Sequence, residues 1–322
     1  MLRPRTFLLL LLTLLLPGLC LLVGPYGFGL PDLATPMGRA VLGLRLTRIA
    51  AGLIVGASLA VSGAVLQALL RNPLAEPYVL GVSGGGALGA ALVILSGLAS
   101  LHPLLLPAGA FLAALATLLL VYALAAHHGT TSVYGLILGG VVISAMLSSL
   151  LMLLISCANM EGLHSIIWWM LGSLQPASTS LLWACGGCAA LALIVVWALA
   201  RELNALTLGR DMAHHLGVRT RLAVGLALGA ATLAAAGAVA LAGLIGFVGL
   251  IVPHAVRQLA GADHRRLLPA CALAGGVFLV VCDTVARTVF APLEVPVGVI
   301  TALTGGPFFL LLLRRRKNTW ID

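Results

Sequence analysis

The sequence predicts an all-α, polytopic membrane protein, and three observations carry that prediction. Charged residues make up 8% of the 322-residue chain, against roughly 25% in soluble domains. Hydrophobic residues make up 61%, and the mean hydropathy is +1.15. The apolar stretches are long and continuous instead of alternating, which selects helices over a barrel. So little charge cannot clothe a soluble globule, and this excludes a cytosolic enzyme, a disordered tail and a secreted disulfide scaffold. The formal net charge of +9 does not point to nucleic acid either. Every basic residue but Lys317 is arginine, and they stand at the ends of apolar runs, as positive-inside anchors do.

The elements follow in order. Arg3 and Arg5 precede an apolar run from Phe7, and Leu19 stands before Cys20 where lipoprotein cleavage needs a small residue. Residues 7–23 are therefore read as an uncleaved first helix. Stretches able to cross ~30 Å of hydrocarbon come next at 49–70, 79–98, 104–126, 133–156 and 181–200. Leu222 to Val256 is a run of 35 uncharged residues, about 52 Å as one helix and too long for one crossing. Gly243, Gly246 and Gly249 offer a break, so two helices are expected there, the second short. Spans at 267–287 and 296–313 complete a set of ten in a single transmembrane domain, 1–322. An even number puts both termini on one side. With that side cytoplasmic, only Arg39, Arg45, Arg48 and Arg287 of the 18 cations lie outside, the split that the positive-inside rule favours.

Two segments are neither span nor plain loop. Residues 157–180, with Trp168, Trp169 and Met170, are expected outside as an interfacial helix with indoles at headgroup depth. Residues 201–221 form the longest polar stretch and are expected in the cytoplasm. Leu208, Met212, His215 and Leu216 recur there at helical spacing, which predicts a short amphipathic helix. Cys185 and Cys188 form a CxxC inside an apolar run without a nearby histidine, so packing is expected of them, not zinc or redox chemistry.

Few residues offer chemistry. Gly81, Gly85 and Gly89 recur every four residues, the spacing of close helix packing in lipid. Gly81-Val82-Ser83-Gly84 also matches the nucleophile surroundings of an intramembrane protease, with His254 as its base, but ten spans exceed that core. Asp283 is the only acidic residue within a proposed span, and Arg287 lies four residues on, on the same helix face. That pair suits a structural or docking role better than the proton relay of an ion-coupled secondary transporter. The lysine of a phosphate-binding loop is missing, since Lys317 is the only lysine and no GxxxxGK[ST] surrounds it. Any ATP chemistry belongs to another subunit. No cofactor, metal site or catalytic residue is expected.

Two long segments carry more. RLTRIAAGLIVGASLAVSGAVLQALLRNPLAEPYVLGVSGGGALGA spans 45–90, and GLIGFVGLIVPH through EVPVGVITALTGGPFFLLLL spans 243–313. With LGRDMAHHLGV at 208–218, these blocks resemble the ten-helix permease subunits of ABC importers for iron–siderophore complexes, haem and cobalamin. The resemblance implies a homodimer in the bacterial inner membrane above two ATPase subunits, with cargo passing along the dimer axis and delivered by a periplasmic binding protein. It implies that Arg45, Arg48 and Arg287 face outward to dock that protein; anchoring on lipid phosphates is the alternative for Arg45 and Arg48. Asn72 and Leu74 match positions at the cytoplasmic mouth of the pathway, and Thr131 and Ser132 match a second gate. The connector Gly209, Arg210, Asp211, Met212, Ala213, His214, His215, Leu216 and Gly217 resembles the coupling helix that inserts into a cleft on each ATPase.

Overall fold

The computed structural model describes residues 4–24, 27–127, 130–131, 133–175 and 178–317. Its helices are α1 (Pro4–Leu22), α2 (Pro36–Leu69), α3 (Val82–Leu95), α4 (Leu98–Leu101), α5 (Leu105–Ala125), α6 (Val133–Ser156) and α7 (Met160–Met170). They continue as α8 (Thr179–Ala198), α9 (Ala200–Leu206), α10 (Arg210–His215), α11 (Thr220–Ala242), α12 (Val248–Ala260), α13 (His264–Thr288) and α14 (Val297–Lys317). Two tiny hairpins, Val23–Gly24 with Gly27–Phe28 and Ala126–His127 with Thr130–Thr131, are the only strands among the described residues.

Helix starts are set by local chemistry. Thr35 Oγ1 accepts the Gly38 N–H at 3.0 Å, with Pro36 at the first helical position of α2. Asn159 caps α7 through Gly162 N at 2.8 Å, and Asp263 caps α13 through Arg265 N at 3.1 Å.

Six helices are long and apolar enough to cross a membrane: α2, α5, α6, α8, α11 and α13. Shorter apolar helices lie within α1, α3 and α14, whereas α12, where the tenth span was expected, carries Pro253, His254, Arg257 and Gln258. α3 has 14 residues and α12 has 13, each about 20 Å long and less than a full crossing. The long uncharged run does break, at 243–247, so the expected division of Leu222–Val256 is met within a residue or two. The span expected at 79–98 is instead a 3₁₀ turn, Pro77–Leu80, followed by α3.

The centre is built from α2, α11 and α13. α11 reads TRLAVGLALGAATLAAAGAVALA, and its small side chains let it bury most of its length. Ser62 of α2 donates to Ala231 O of α11 at 2.7 Å, satisfying a buried hydroxyl between helices. α2 and α13 meet backbone to backbone: a Cβ on Gly56 would collide with the Gly275 carbonyl. The expected glycine stripe on α3 faces α5, with Gly85 against Thr117 and Gly89 against Gly109. α6 and α8 instead turn large side chains outward, among them Leu138, Met146 and Leu153, and Trp183, Ile194 and Trp197.

Candidate functional site

α13 serves as the ruler of the molecule, with 25 residues spanning about 36 Å. Different chemistry gathers at its two ends.

At the C-terminal end lies a vestibule of about 1350 Å³ lined by Arg48, Asp283, Glu294, Glu161, His164 and Trp168, among others. α7 supplies His164 and Trp168, whose rings stand 5.8 Å apart. The wall is an ion network. Arg48 Nη2 donates to Asp283 Oδ1 at 3.1 Å, and its Nη1 donates to both Glu294 oxygens at 2.9 and 3.0 Å. The Asp283–Arg287 pair expected one turn apart forms, at 3.6 Å. Arg287 also donates to Cys20 O at 2.9 Å, and Arg45 donates to Leu21 O and Gly29 O.

These contacts differ from the outward-facing cations that the resemblance implied. The Arg287 side chain is 5% exposed and that of Arg48 is 14% exposed, and all three guanidiniums hydrogen-bond within the chain. The reason is local: Asp283 lies on the α13 face toward α2, so both nearby arginines turn onto it. Glu294, which sequence reasoning did not single out, has a side chain 51% exposed and completes the network. Its signal was scarcity, since only nine acidic residues stand in the chain and this one falls in a loop beside α13.

The loop from α2 to α3 runs from the side of the connector, where Arg71 lies beside Gly209, to the α11–α12 break. Asn72 Oδ1 accepts the Leu74 N–H at 2.9 Å, an Asx turn that holds the two predicted gate residues together and leaves Leu74 exposed. Arg71 enters the loop at φ 48°. Tyr78 then reaches the α11–α12 break: its hydroxyl accepts Ile245 N–H at 2.8 Å and donates to Ile245 O at 3.0 Å. Of the second predicted gate, Thr131 pairs by backbone with Ala126, while its side chain and the whole of Ser132 lie outside the described residues.

The N-terminal end of α13 is fastened to the connector. Asn204 of α9 donates to Asp263 at 2.7 Å and accepts His264 N–H at 2.9 Å. The Asn204 amide and the Arg265 N–H hold the Asp263 carboxyl below its usual range. Where one amphipathic helix was expected, the segment forms two short helices, α9 and α10; Met212 and His215 lie in α10, while Leu208 and Leu216 flank it. α10 starts at Gly209 and spans Arg210, Asp211, Met212, Ala213, His214 and His215. It ends in a Schellman turn, with Gly217 N bonded to His214 O and Val218 N to Ala213 O, and Gly217 at φ 82°. Ala213 points inward, whereas Leu208, Met212 and Leu216 are 65%, 52% and 61% exposed. The apolar stripe of the connector is therefore uncovered. Burial pushes the Arg210 guanidinium down, with Arg71 as a like charge nearby.

The family model described as the FecCD transport family matches residues 8–315. The chain belongs to that family. It is a multi-pass inner-membrane permease of an ABC importer, as the sequence blocks had implied. Among relatives of this FecCD protein, the cobalamin import system permease protein BtuC of Halobacterium salinarum is 44% identical over 91% of this chain and 77% of that one. The hemin transport system permease protein HmuU of Yersinia pestis is 40% identical over 86% of this chain and 84% of its own. A solved metal-chelate type ABC transporter in an inward-facing conformation superposes with a TM-score of 0.86 and 35% identity, covering 97% of this chain and all of that one.

Proposed function

We propose that this permease moves an iron chelate, haem or cobalamin inward along the axis of a homodimer. ATPase subunits seated on its connectors drive the movement, and a periplasmic binding protein supplies the cargo. The vestibule carries the reading. A cavity of about 1350 Å³ with Trp168 and His164 in its wall suits a bulky macrocycle or chelate and far exceeds what a coupling ion needs. The relatives bearing hemin and cobalamin names support the same cargo class. In this reading both termini, the loop of Asn72 and Leu74, the turn of Thr131 and Ser132, and residues 201–221 face the cytoplasm. Residues 157–180 face the periplasm, and the outward side chains of α6 meet the second permease or lipid.

The test is uptake of cobalamin and of hemin by proteoliposomes holding the permease with its ATPase and binding protein. Uptake is expected only with ATP, and the purified permease alone is expected to hydrolyse none. Uptake driven by an ion gradient without nucleotide would sink the reading.

Docking is also part of the proposal. Arg48 is held by Glu294, whose exposed carboxylate occupies the place that a partner's carboxylate would take, while Arg45 and Arg287 fix the end of α1, and Arg45 also Gly29 beyond it. Association of the binding protein with the permease in nanodiscs is expected to slow as salt rises, because the charge of this network acts chiefly on encounter rate and is screened beyond ~10 Å at 0.1 M. A rate indifferent to salt would remove the docking role from these arginines.

A further inference from the structure

The α2–α3 loop and the α11–α12 break are two non-helical segments that lie against each other, each followed by a helix too short to cross a bilayer. Backbone of this kind at membrane depth persists only where neighbouring protein satisfies it. Here the satisfaction is one-sided. Ile245 N–H and C=O are both taken by the Tyr78 hydroxyl, and Phe247 N–H is accepted by Glu76 Oε2 at 3.4 Å. Pro77 packs beside Gly249, and Gln67, just before the loop, donates to Gly249 O at 3.2 Å. The break in turn leans on α14. Phe247 caps α12 at φ 69°, uncommon for a residue with a side chain, and its ring fills the space beside Gly305. Gly298, the second residue of α14, sits against Leu244 O.

We propose that Tyr78 and Glu76 are positioning residues of the inner gate, tying the loop of Asn72 and Leu74 to the α11–α12 break and, through Phe247, to α14. α14 begins just beyond Glu294 at the vestibule, so the tie gives the gate a mechanical connection to the cargo cavity. At its other end the same loop touches the connector, where the Arg71 guanidinium lies beside Gly209. The proposal rests on the transport reading, in which this loop is a gate.

Ala75 provides the measurement, because it is buried at 2% exposure inside the tied loop. A thiol placed there reacts only when the loop lifts, so its maleimide labelling rate reports the fraction of time untied. The full permease in nanodiscs is used as an Ala75→Cys variant with Cys157→Ser and Cys188→Ala, which remove the accessible native thiols. Buried Cys271 remains as the internal reporter of global unfolding.

Tyr78→Phe is expected to raise the labelling rate at position 75 about thirtyfold, the factor that follows from losing the two hydrogen bonds of its hydroxyl, with Cys271 labelling unchanged. Glu76→Leu is expected to act in the same direction, and Glu76→Gln, which keeps an acceptor, to restore the original rate. Equal rates in all variants, or a rise matched at Cys271, would overturn the tie. A separate arm tests the gate itself, by bis-maleimide cross-linking of Leu74→Cys between the two permeases of the dimer. Absence of that cross-link would take the gate, and the proposal with it, away from this loop by a route that the Ala75 measurement does not touch.

Discussion

Replacing Met212 and Leu216 together by Asp is expected to abolish co-purification of the ATPase while the permease stays folded. Both side chains are more than half exposed, on a face that none of the described residues covers. The substitutions therefore cost the isolated permease little, since surface changes fall within about 0.5 kcal/mol. In an apolar cleft on a partner, each carboxylate would carry a desolvation cost of several kcal/mol. Two such costs exceed what a modest interface sustains, given tenfold in affinity for each ~1.4 kcal/mol. The measurement is ATPase stoichiometry after affinity purification of the permease, with a monodisperse elution profile as the control for folding. Stoichiometric retention of the ATPase would show that α10 is a solvated loop and not the coupling element.

Asp283→Ala is expected to be the most destabilising single change at the vestibule. Asp283 is the carboxylate that both Arg48 and Arg287 share, and the side chains of Asp283 and Arg287 are each 5% exposed. Removing one member of a buried ion network leaves uncompensated charge, at about 3–5 kcal/mol. Glu294→Gln removes a half-exposed partner of Arg48 and is expected to cost under about 1 kcal/mol, the range of exposed pairs. Asp283→Asn, which keeps an acceptor but no charge, falls between them. Apparent melting temperature in detergent ranks the three. Equal melting of Asp283→Ala and Glu294→Gln would show that the arginines are solvated and that the network carries no structural load.

The long apolar helices, the break after Ala242, the helix between 157 and 180 and the glycine face of α3 were all legible in the sequence. Hydrophobic length, glycine spacing and charge placement are one-dimensional signals, and each of these features depends on nothing else. The Asp283–Arg287 pair was legible for the same reason, being four residues apart on one helix. What stayed hidden involves partners far apart in sequence. Glu294 reaches Arg48 across 246 positions, Tyr78 reaches Ile245 across 167, and Asn204 reaches His264 across 60. No periodicity reports such pairs. The direction of Arg287 was hidden too, because its position in the chain says nothing of which neighbouring helix its side chain meets.

The composition of α12 has a consequence for how the chain is made. Its 13 residues include Pro253, His254, Gln258 and, in the last turn, Arg257, which makes it a poor candidate for entering lipid unaided. Within the folded chain Arg257 donates to Gln67 Oε1 at 3.2 Å, and Gly63 of α2 lies against Gly249. The acceptor for the cation thus belongs to a helix synthesised nearly two hundred residues earlier. Because α2 is made first, the surface that receives α12 is expected to be in place before α12 emerges. The last third of the permease is then expected to assemble onto the first.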